Sequence, residues 1–455
     1  MSLLENPEAQ ALLEDAEVSA ESVRGCRDRL KKFMERYLPL FYREEQRELA
    51  EVVVQGKLSN LQRKTAEPIA YAADRERKPV QHFVGGGKWD DEAVMAELRQ
   101  HVGEEIGDAN GIFVVDGSGF AKKGTASCGV ARQWCGRLGK IENCQNGVFL
   151  NYATEHGCGL IDRQLYLPEE WANDPKRRKK CHVPEEVEFK EKWRIALDLM
   201  ERSAEVPHRW VVADDEFGRV TEFRATLRLW KKIYVLDVPS NTLVREIARR
   251  ADGSKPAFER VGMWAARQPK KRWKTIRVRP GEKGLIKVQA LRAQVQTKDE
   301  DGCVGALETV VVTRTLDQEN RTSYHLSNAD KTIKLWDLVY VGSERHRVEE
   351  QLQAAKGEVG LGHYEVRSWV GWHHHMTLSM LALWFLTTER RRVGKKNTGL
   401  NGAADPGDFR PPVVADAAEV REDCPGDQPC FASHGRGPHL FLLCGYQEVP
   451  AAARK

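Results

Sequence analysis

Two acidic residues stand directly behind short apolar runs. Asp116 follows Ile112-Phe113-Val114-Val115 and precedes Gly117-Ser118-Gly119, and Asp214 follows Trp210-Val211-Val212-Ala213. Each run reads as a buried strand that ends at its acid, and strand ends are where α/β sheets present reactive groups. Taken singly, such an acid is more often a turn residue or a helix N-cap. A third acid sharpens the pair. Residues 345–356 read as a helix, and at roughly 100° per residue Glu349 lies about 40° around from Arg345, and Lys356 about 20° from it. Arg345, Glu349 and Lys356 therefore share one face. The bland reading is an exposed stripe with i,i+4 pairing. The chemical reading is a carboxylate flanked by two phosphate-contacting cations.

Three carboxylates supply the hard oxygen donors that Mg²⁺ prefers. Phosphodiester chemistry needs an activated oxygen nucleophile and a stabilised leaving oxygen, and two Mg²⁺ ions about 4 Å apart serve both. Mn²⁺ would substitute. The cations would keep the acids ionised despite their mutual repulsion. No His or Cys cluster competes. Cys424, Cys430, His434, His439 and Cys444 are irregularly spaced without a CxxC, and His373-His374-His375 opens an apolar helix, where a structural role is expected.

These residues need elements to hold them. Residues 10–105 read as helices, with Leu30, Phe33, Met34, Tyr37 and Leu38 at helical spacing and a break at Gly85-Gly86-Gly87 before a last helix over 91–102. The GGGK there lacks the spacing of a phosphate loop. From Gly111 the pattern changes to strands. Residues 147–152 and 159–167, joined to the first strand by short links, suggest an antiparallel meander. A helix is expected over 185–203, another over 220–230, and a strand over 233–236. Residues 239–330 are basic and strand-rich, and sit between the second acid and the third like an insertion. A very apolar helix spans 373–387, and the Gly/Pro/Ala/Asp-rich residues after 396 read as mostly disordered.

The chain has 455 residues, 71 Lys plus Arg and 67 Asp plus Glu, a net charge of +4. That near-neutral total is segregated. Residues 1–24 carry −5, residues 405–455 carry −3, and the body between them carries +12. Residues 267–292 alone hold ten bases and one acid. Lys270, Lys271, Arg272, Trp273 and Lys274 form the densest stretch, where Lys/Arg could neutralise phosphates and Trp273, with Trp264 nearby, could stack on bases. The longest apolar stretch, 376–386, is too short to span a bilayer. The N-terminus has no secretion pattern, and ten scattered cysteines fit a reducing cytoplasm.

Long blocks of the sequence resemble a known family. VVDGSGFAKKGTASCGVARQWCGRLGKIENCQNGV resembles the first-aspartate block of bacterial insertion-sequence transposases of the DDE class, WVVADDEFG the second, and RHRVEEQLQAAKGEVGLGHYEVRSW the glutamate block. The similarity spans roughly residues 25–395, with the motifs in order. It implies Asp116, Asp214 and Glu349 as a catalytic, metal-binding triad. Asp214 is preferred to Asp215 because it directly follows the strand, and Glu349 to Glu350 because of its spacing to Arg345 and Lys356. These two match the Arg and Lys of a subgroup with a Tyr-Arg-Glu-Lys signature. The signature's Tyr falls on Gly342, which speaks against a hairpin pathway. Tyr364 and Arg367 repeat the Tyr-x-x-Arg spacing, but Gly371 stands where a Glu is needed, which excludes that register.

The resemblance implies an α/β fold: an RNase H-like mixed sheet flanked by helices, with a helical N-terminal region and a β-rich insertion. The expected organisation is a helical DNA-binding region (1–105), the first part of the core (106–238), the insertion (239–335), the second part with the Glu helix (336–396) and a tail (397–455). The expected activity is cleavage and strand transfer with Mg²⁺. The expected partners are double-stranded DNA, as element ends and target, and further copies of the chain, with no membrane, at the nucleoid in the cytoplasm. Two alternatives stand beside it: a catalytically inactive DNA-binding derivative, and an RNase H-like nuclease without strand transfer.

Overall fold

The computed structural model describes residues 24–247, 255–281, 284–299, 302–316 and 321–397. The tail and its cysteines and histidines lie outside the described residues, as does the acidic stretch 1–23. By its contacts the chain divides into two compact units, one of residues 1–89, 354–365 and 378–455, the other of residues 90–353 and 366–377.

The first unit is helical. It contains α1 (Cys26–Glu35), α2 (Glu44–Lys57), α3 (Ala66–Ala72) and α4 (Arg77–Gly86). The expected run through Tyr37 and Leu38 is interrupted. Pro39 lies in a single 3₁₀ turn, Leu38–Leu40, which sends Tyr37 and Phe41 into the core with no exposed surface. α4 ends within the glycine run. Arg29 donates from Nε to Glu389 Oε1 at 2.8 Å, and Phe33 packs edge-on against Phe385 at 5.3 Å between ring centres.

The second unit is built on one mixed sheet of twelve strands. It opens with α5 (Asp91–Ile106), capped by Asp90, whose Oδ1 accepts from the Glu92 and Ala93 amides. β1 (Ile112–Ala121) pairs antiparallel with the long β3 (Lys140–Thr154), which also carries β2 (Ala131–Cys135) and β4 (Gly157–Leu165). This is the expected meander. The helix anticipated over 185–203 begins only at Lys192, because apolar spacing starts at Trp193 and Pro184 opens a turn. It is α6 (Lys192–Arg202), preceded by two short helical turns at Glu169–Ala172 and Pro175–Lys180. Next come β5 (Trp210–Ala213), α7 (Asp215–Gly218), α8 (Thr221–Leu229) and β6 (Ile233–Asp237). β5 runs parallel to both β1 and β6. The resulting order β4-β3-β1-β5-β6, with β3 antiparallel to its neighbours and the last three parallel, is the arrangement of an RNase H-like core.

Residues 239–335 carry β7 (Leu243–Glu246), β8 (Glu259–Arg260), α9 (Val261–Ala266), β9 (Lys274–Gly281), β10 (Gly284–Lys298), β11 (Val304–Thr315) and β12 (Thr322–Ser327). β12 pairs antiparallel with β6, so these strands continue the same sheet. Their core is Val244, Val261, Trp264, Leu291, Val295, Val310, Val312 and Leu326. α10 (Leu335–Ser343), α11 (Arg345–Glu358) and α12 (Trp369–Asn397) complete the fold. Among the described residues no helix is long and apolar enough to cross a membrane.

One local expectation is corrected. β1 does not end at Asp116, because Gly117, Ser118 and Gly119 remain strand, paired with Val148, Gly147 and Asn146 of β3. β3 is long enough to keep partnering them. What ends at Asp116 is the parallel pairing with β5, whose last step is Val115 opposite Ala213.

Candidate active site

The sheet brings the first two acids together. Since Val115 and Ala213 are parallel partners, the next residues, Asp116 and Asp214, stand on neighbouring strands, which are spaced by about 4.8 Å. Asp214 is also the N-cap of α7, accepting from the Glu216 amide at 3.0 Å. The ordinary capping role and a chemical one therefore coincide in one residue. Gly218 ends α7 where a Cβ would run into the carbonyl oxygen of Asp237 on β6. A glycine is thus required for this turn to lie against the sheet.

Glu349 reaches the group from α11. Arg345 Nη1 lies 2.9 Å from Glu349 Oε1, the i,i+4 contact read from the sequence. Glu350 points elsewhere, 3.8 Å from His346 and two-thirds exposed. Arg345 is a basic side chain acting on both aspartates. It interacts with Asp237, Glu349, Asp116 and Asp214. Lys356 sits three turns along the same helix, half-buried.

Charge repulsion marks the group. Burial first, then the charges of Asp214 and Glu349, push the Asp116 carboxyl up to about 7, against the opposing pull of Arg345. Burial, then Glu216, push Asp214 up to about 6, again opposed by Arg345. The donor set is all carboxylate oxygen, suited to hard divalent cations, and it carries more negative charge than Arg345 alone offsets. These residues fit the expected Mg²⁺. A guanidinium stands among these carboxylates. Among the described residues, the trio whose candidate ligand atoms all lie within 4.8 Å of one another is a different one, Asp108, Glu155 and His156.

A fourth acid escaped the sequence reading. Asp237 ends β6 and follows Leu236, the parallel partner of Ala213, so it stands one strand beyond Asp214. Its Oδ2 lies 3.0 Å from Arg345 Nε and its Oδ1 lies 2.6 Å from His325 Nδ1. Burial would raise its carboxyl, but His325 and then Arg345 outweigh that and hold it below the usual range. The signal was present, since Ile-Tyr-Val-Leu-Asp repeats the apolar-run-then-acid pattern of the other two strands.

The basic cluster divides into exposed lysines and residues held against the core. Lys270, Lys271 and Lys274 are exposed around a 3₁₀ turn and the start of β9. Arg272 is held 3.0 Å from Glu246 and over the Trp264 ring. Trp273 packs against the core, with Arg314 4.5 Å from its ring centre. The expectation that Trp264 could stack on bases is corrected, because it has no exposed surface and belongs to the core. His373, His374 and His375 are buried within α12. His373 Nδ1–H donates to the Trp369 carbonyl at 3.0 Å, and burial lowers its pKa to about 4.

Comparison with known proteins places the chain in a family. A family model described as DDE superfamily endonuclease matches residues 36–299. The chain belongs to the DDE superfamily endonucleases. The match takes in Asp116 and Asp214 and ends before Glu349. Nuclease chemistry on DNA, dependent on divalent metal ions, is accordingly the functional class of this DDE endonuclease. No curated protein matches the chain. Among solved structures it is similar to the NurA nuclease from Sulfolobus solfataricus, with 10% identity and a TM-score of 0.24, over 55% of this chain and 79% of that one.

Proposed function

We propose that the chain is a DNA transposase of an insertion sequence, one that binds terminal inverted repeats as an oligomer, cleaves the element ends and joins them to target DNA. The observation that supports this reading is that Asp214 and Glu349 both act on Asp116 by charge, with Asp214 on the neighbouring strand and Arg345 beside Glu349. Family membership and the sequence blocks before and after Gly342 support it further.

In this reading Asp116, Asp214 and Glu349 would hold two Mg²⁺ ions, or Mn²⁺ in their place. Bound there, the metal supplies activation of the attacking oxygen and neutralisation of the leaving one. The chain's own groups do the rest. The end of β5 and the middle of β1 fix two carboxylates at strand spacing, so neither needs to be ordered when substrate arrives. Arg345 orients Glu349. The exposed Lys270, Lys271 and Lys274 bear on DNA phosphates, with Arg272 and Trp273 shaping the surface from which they project. Lys356 is assigned a phosphate contact on the same helix as Glu349. The presence of all three acids in the sequence disfavours an inactive derivative.

The test uses duplex oligonucleotides ending in the inverted repeat that flanks the coding region, either intact or precut, in Mg²⁺ with target plasmid. Joining of precut ends to the plasmid is expected. Cleavage of intact ends without any joining of precut ones would instead identify a nuclease without strand transfer. No cleavage in Mg²⁺ or Mn²⁺, with binding intact, would identify the inactive derivative.

A further inference from the structure

We propose that Asp237 and His325 form a positioning pair for the acidic site, anchoring Arg345 where it orients Glu349. This rests on reading Asp116, Asp214 and Glu349 as the metal-holding set.

The arrangement is a relay across three elements. His325 on β12 is the cross-strand partner of Asp237 on β6, so the sheet ladder itself sets the two side by side. His325 Nδ1 engages Asp237 Oδ1 at 2.6 Å, Asp237 Oδ2 engages Arg345 Nε at 3.0 Å, and Arg345 Nη1 engages Glu349 Oε1 at 2.9 Å. Both oxygens of Asp237 are thereby committed to protein groups. Although it lines up beside Asp214 on the next parallel strand, it is placed to hold a side chain, and its carboxylate is not directed into the cluster as a ligand. Arg345 is gripped at two different nitrogens of a planar fork, which fixes the direction as well as the position of its guanidinium. Glu349 needs such a guide. Its side chain is 53% exposed on a helix surface, where several rotamers are open to it, and Arg345 one turn earlier is the group that holds it.

Gly342 belongs to the same device. A Cβ at this position would lie 3.2 Å from Val235 Cγ1 and 3.7–3.8 Å from Cε1 and Nδ1 of His325. A large side chain at 342 would therefore press on Val235 and compete with the His325 ring for the adjoining space. The residue that departs from the Tyr-Arg-Glu-Lys pattern is the one that leaves room for His325 to reach Asp237.

Groups that orient metal ligands from behind influence affinity almost as strongly as the ligands. The full-length chain is titrated with Mn²⁺ by electron paramagnetic resonance, and the same variants are assayed for Mg²⁺-dependent cleavage. Asp237→Asn, nearly isosteric, is expected to weaken Mn²⁺ binding about 10-fold and to raise the Mg²⁺ needed for half-maximal cleavage by the same factor. His325→Ala should act in the same direction. His325→Asn, whose amide N–H replaces Nδ1, should return both values to within about 2-fold of wild type. A purely structural pair would lower Tm and leave Mn²⁺ affinity unchanged, and that result with Asp237→Asn overturns the proposal even if His325→Ala fails to fold. Retention of Mn²⁺ by an Asp116→Ala, Asp214→Ala double variant, or no Mn²⁺ binding by the wild-type chain, would instead remove the underlying metal reading.

Discussion

Asp116 and Asp214 stand side by side because Val115 and Ala213 are register partners on parallel strands. The relationship needs no loop. It is fixed by backbone hydrogen bonding between two of the most buried strands, in which Val114, Val115, Val212 and Ala213 have no exposed surface. A rigid sheet thus supplies two of three acids at a preset spacing, and only Glu349 depends on a side-chain guide.

Removing any one of the three acids should stop the reaction. Asp116→Ala, Asp214→Ala and Glu349→Ala are each expected to lower cleavage by at least roughly 10³-fold while binding to the repeats is kept. Binding is measured by fluorescence anisotropy on the same duplex. Full cleavage by any of them in Mg²⁺ would displace that residue from the site. Glu350→Ala, on the neighbouring helix position facing His346, is the matched control and should cleave normally.

The same acids should set a pH dependence. In the unfolded chain Asp titrates near 4, and in the fold Asp116 and Asp214 are pushed up to about 7 and about 6. A raised carboxyl favours the fold below the unfolded pKa, and this contribution is lost as pH rises through the folded values. Without metal the protein should therefore weaken between about pH 4 and pH 7, by an amount on the order of several kcal/mol. Asp116→Asn should be more stable than wild type at pH 8 in EDTA, measured as Tm, and equal to it near pH 4. A wild type whose Tm follows that of Asp116→Asn across the range would refute the repulsion. Divalent cations need the ionised forms, so their binding should tighten through the same window and release protons.

The exposed lysines should act through salt. Replacing Lys270, Lys271 and Lys274 together with Ala should flatten the plot of log affinity against log salt by about 2–3 units, roughly one for each lost phosphate contact. Trp264→Ala, by contrast, should cost about 3–5 kcal/mol of stability as a core deletion. If the triple variant keeps the wild-type salt slope, DNA does not lie along this surface.

Much of this site was legible because its chemistry is local in sequence. An apolar run followed by an acid announces both strand and carboxylate, and the spacing from Arg345 to Glu349 announces a helix face. Asp237 shows where such reading stops. Its own run, Ile233–Asp237, looks no different from a strand ending in a turn, and its meaning comes from His325, 88 positions away, and from Arg345 on another element. The sheet is similar. Strand-rich character in residues 239–330 was readable, yet the pairing of β12 with β6 is a long-range choice of hydrogen-bond partner that periodicity does not encode. The persistence of β1 through Gly117 to Gly119 was hidden for the same reason, since glycines read as a turn unless the partner strand is known to continue.

Restoring the signature residue at Gly342 should fail. Gly342→Tyr would drive a ring between Val235 and His325 on a helix packed against β6. Overpacking of this kind costs typically 1–3 kcal/mol, read here as a drop in Tm. Cleavage should fall as well, because His325 is displaced. A Gly342→Tyr chain with unchanged Tm and activity would show that the space is larger than the fold indicates.

Gly218 offers the sharpest separation of backbone from side-chain effects. It closes α7, the turn whose N-cap is Asp214, and a Cβ there would overlap the carbonyl oxygen of Asp237 and press on Leu236 Cβ. Neither neighbour can yield easily, since both belong to β6 in the middle of the sheet. Gly218→Ala must therefore shift α7 away from the strand, moving Asp214 from one side and Asp237 from the other. The expected cost is about 2 kcal/mol or more, beyond the ordinary gain of up to about 1 kcal/mol that a Gly→Ala change brings within a helix. Cleavage should drop together with Mn²⁺ affinity, although no ligand has been altered. Gly136→Ala, where a Cβ meets nothing within 4 Å, serves as the control and should leave Tm and metal binding near wild type. Equal behaviour of the two variants would mean that α7 is not pinned against β6, and that the placement of Asp214 rests on the strand alone.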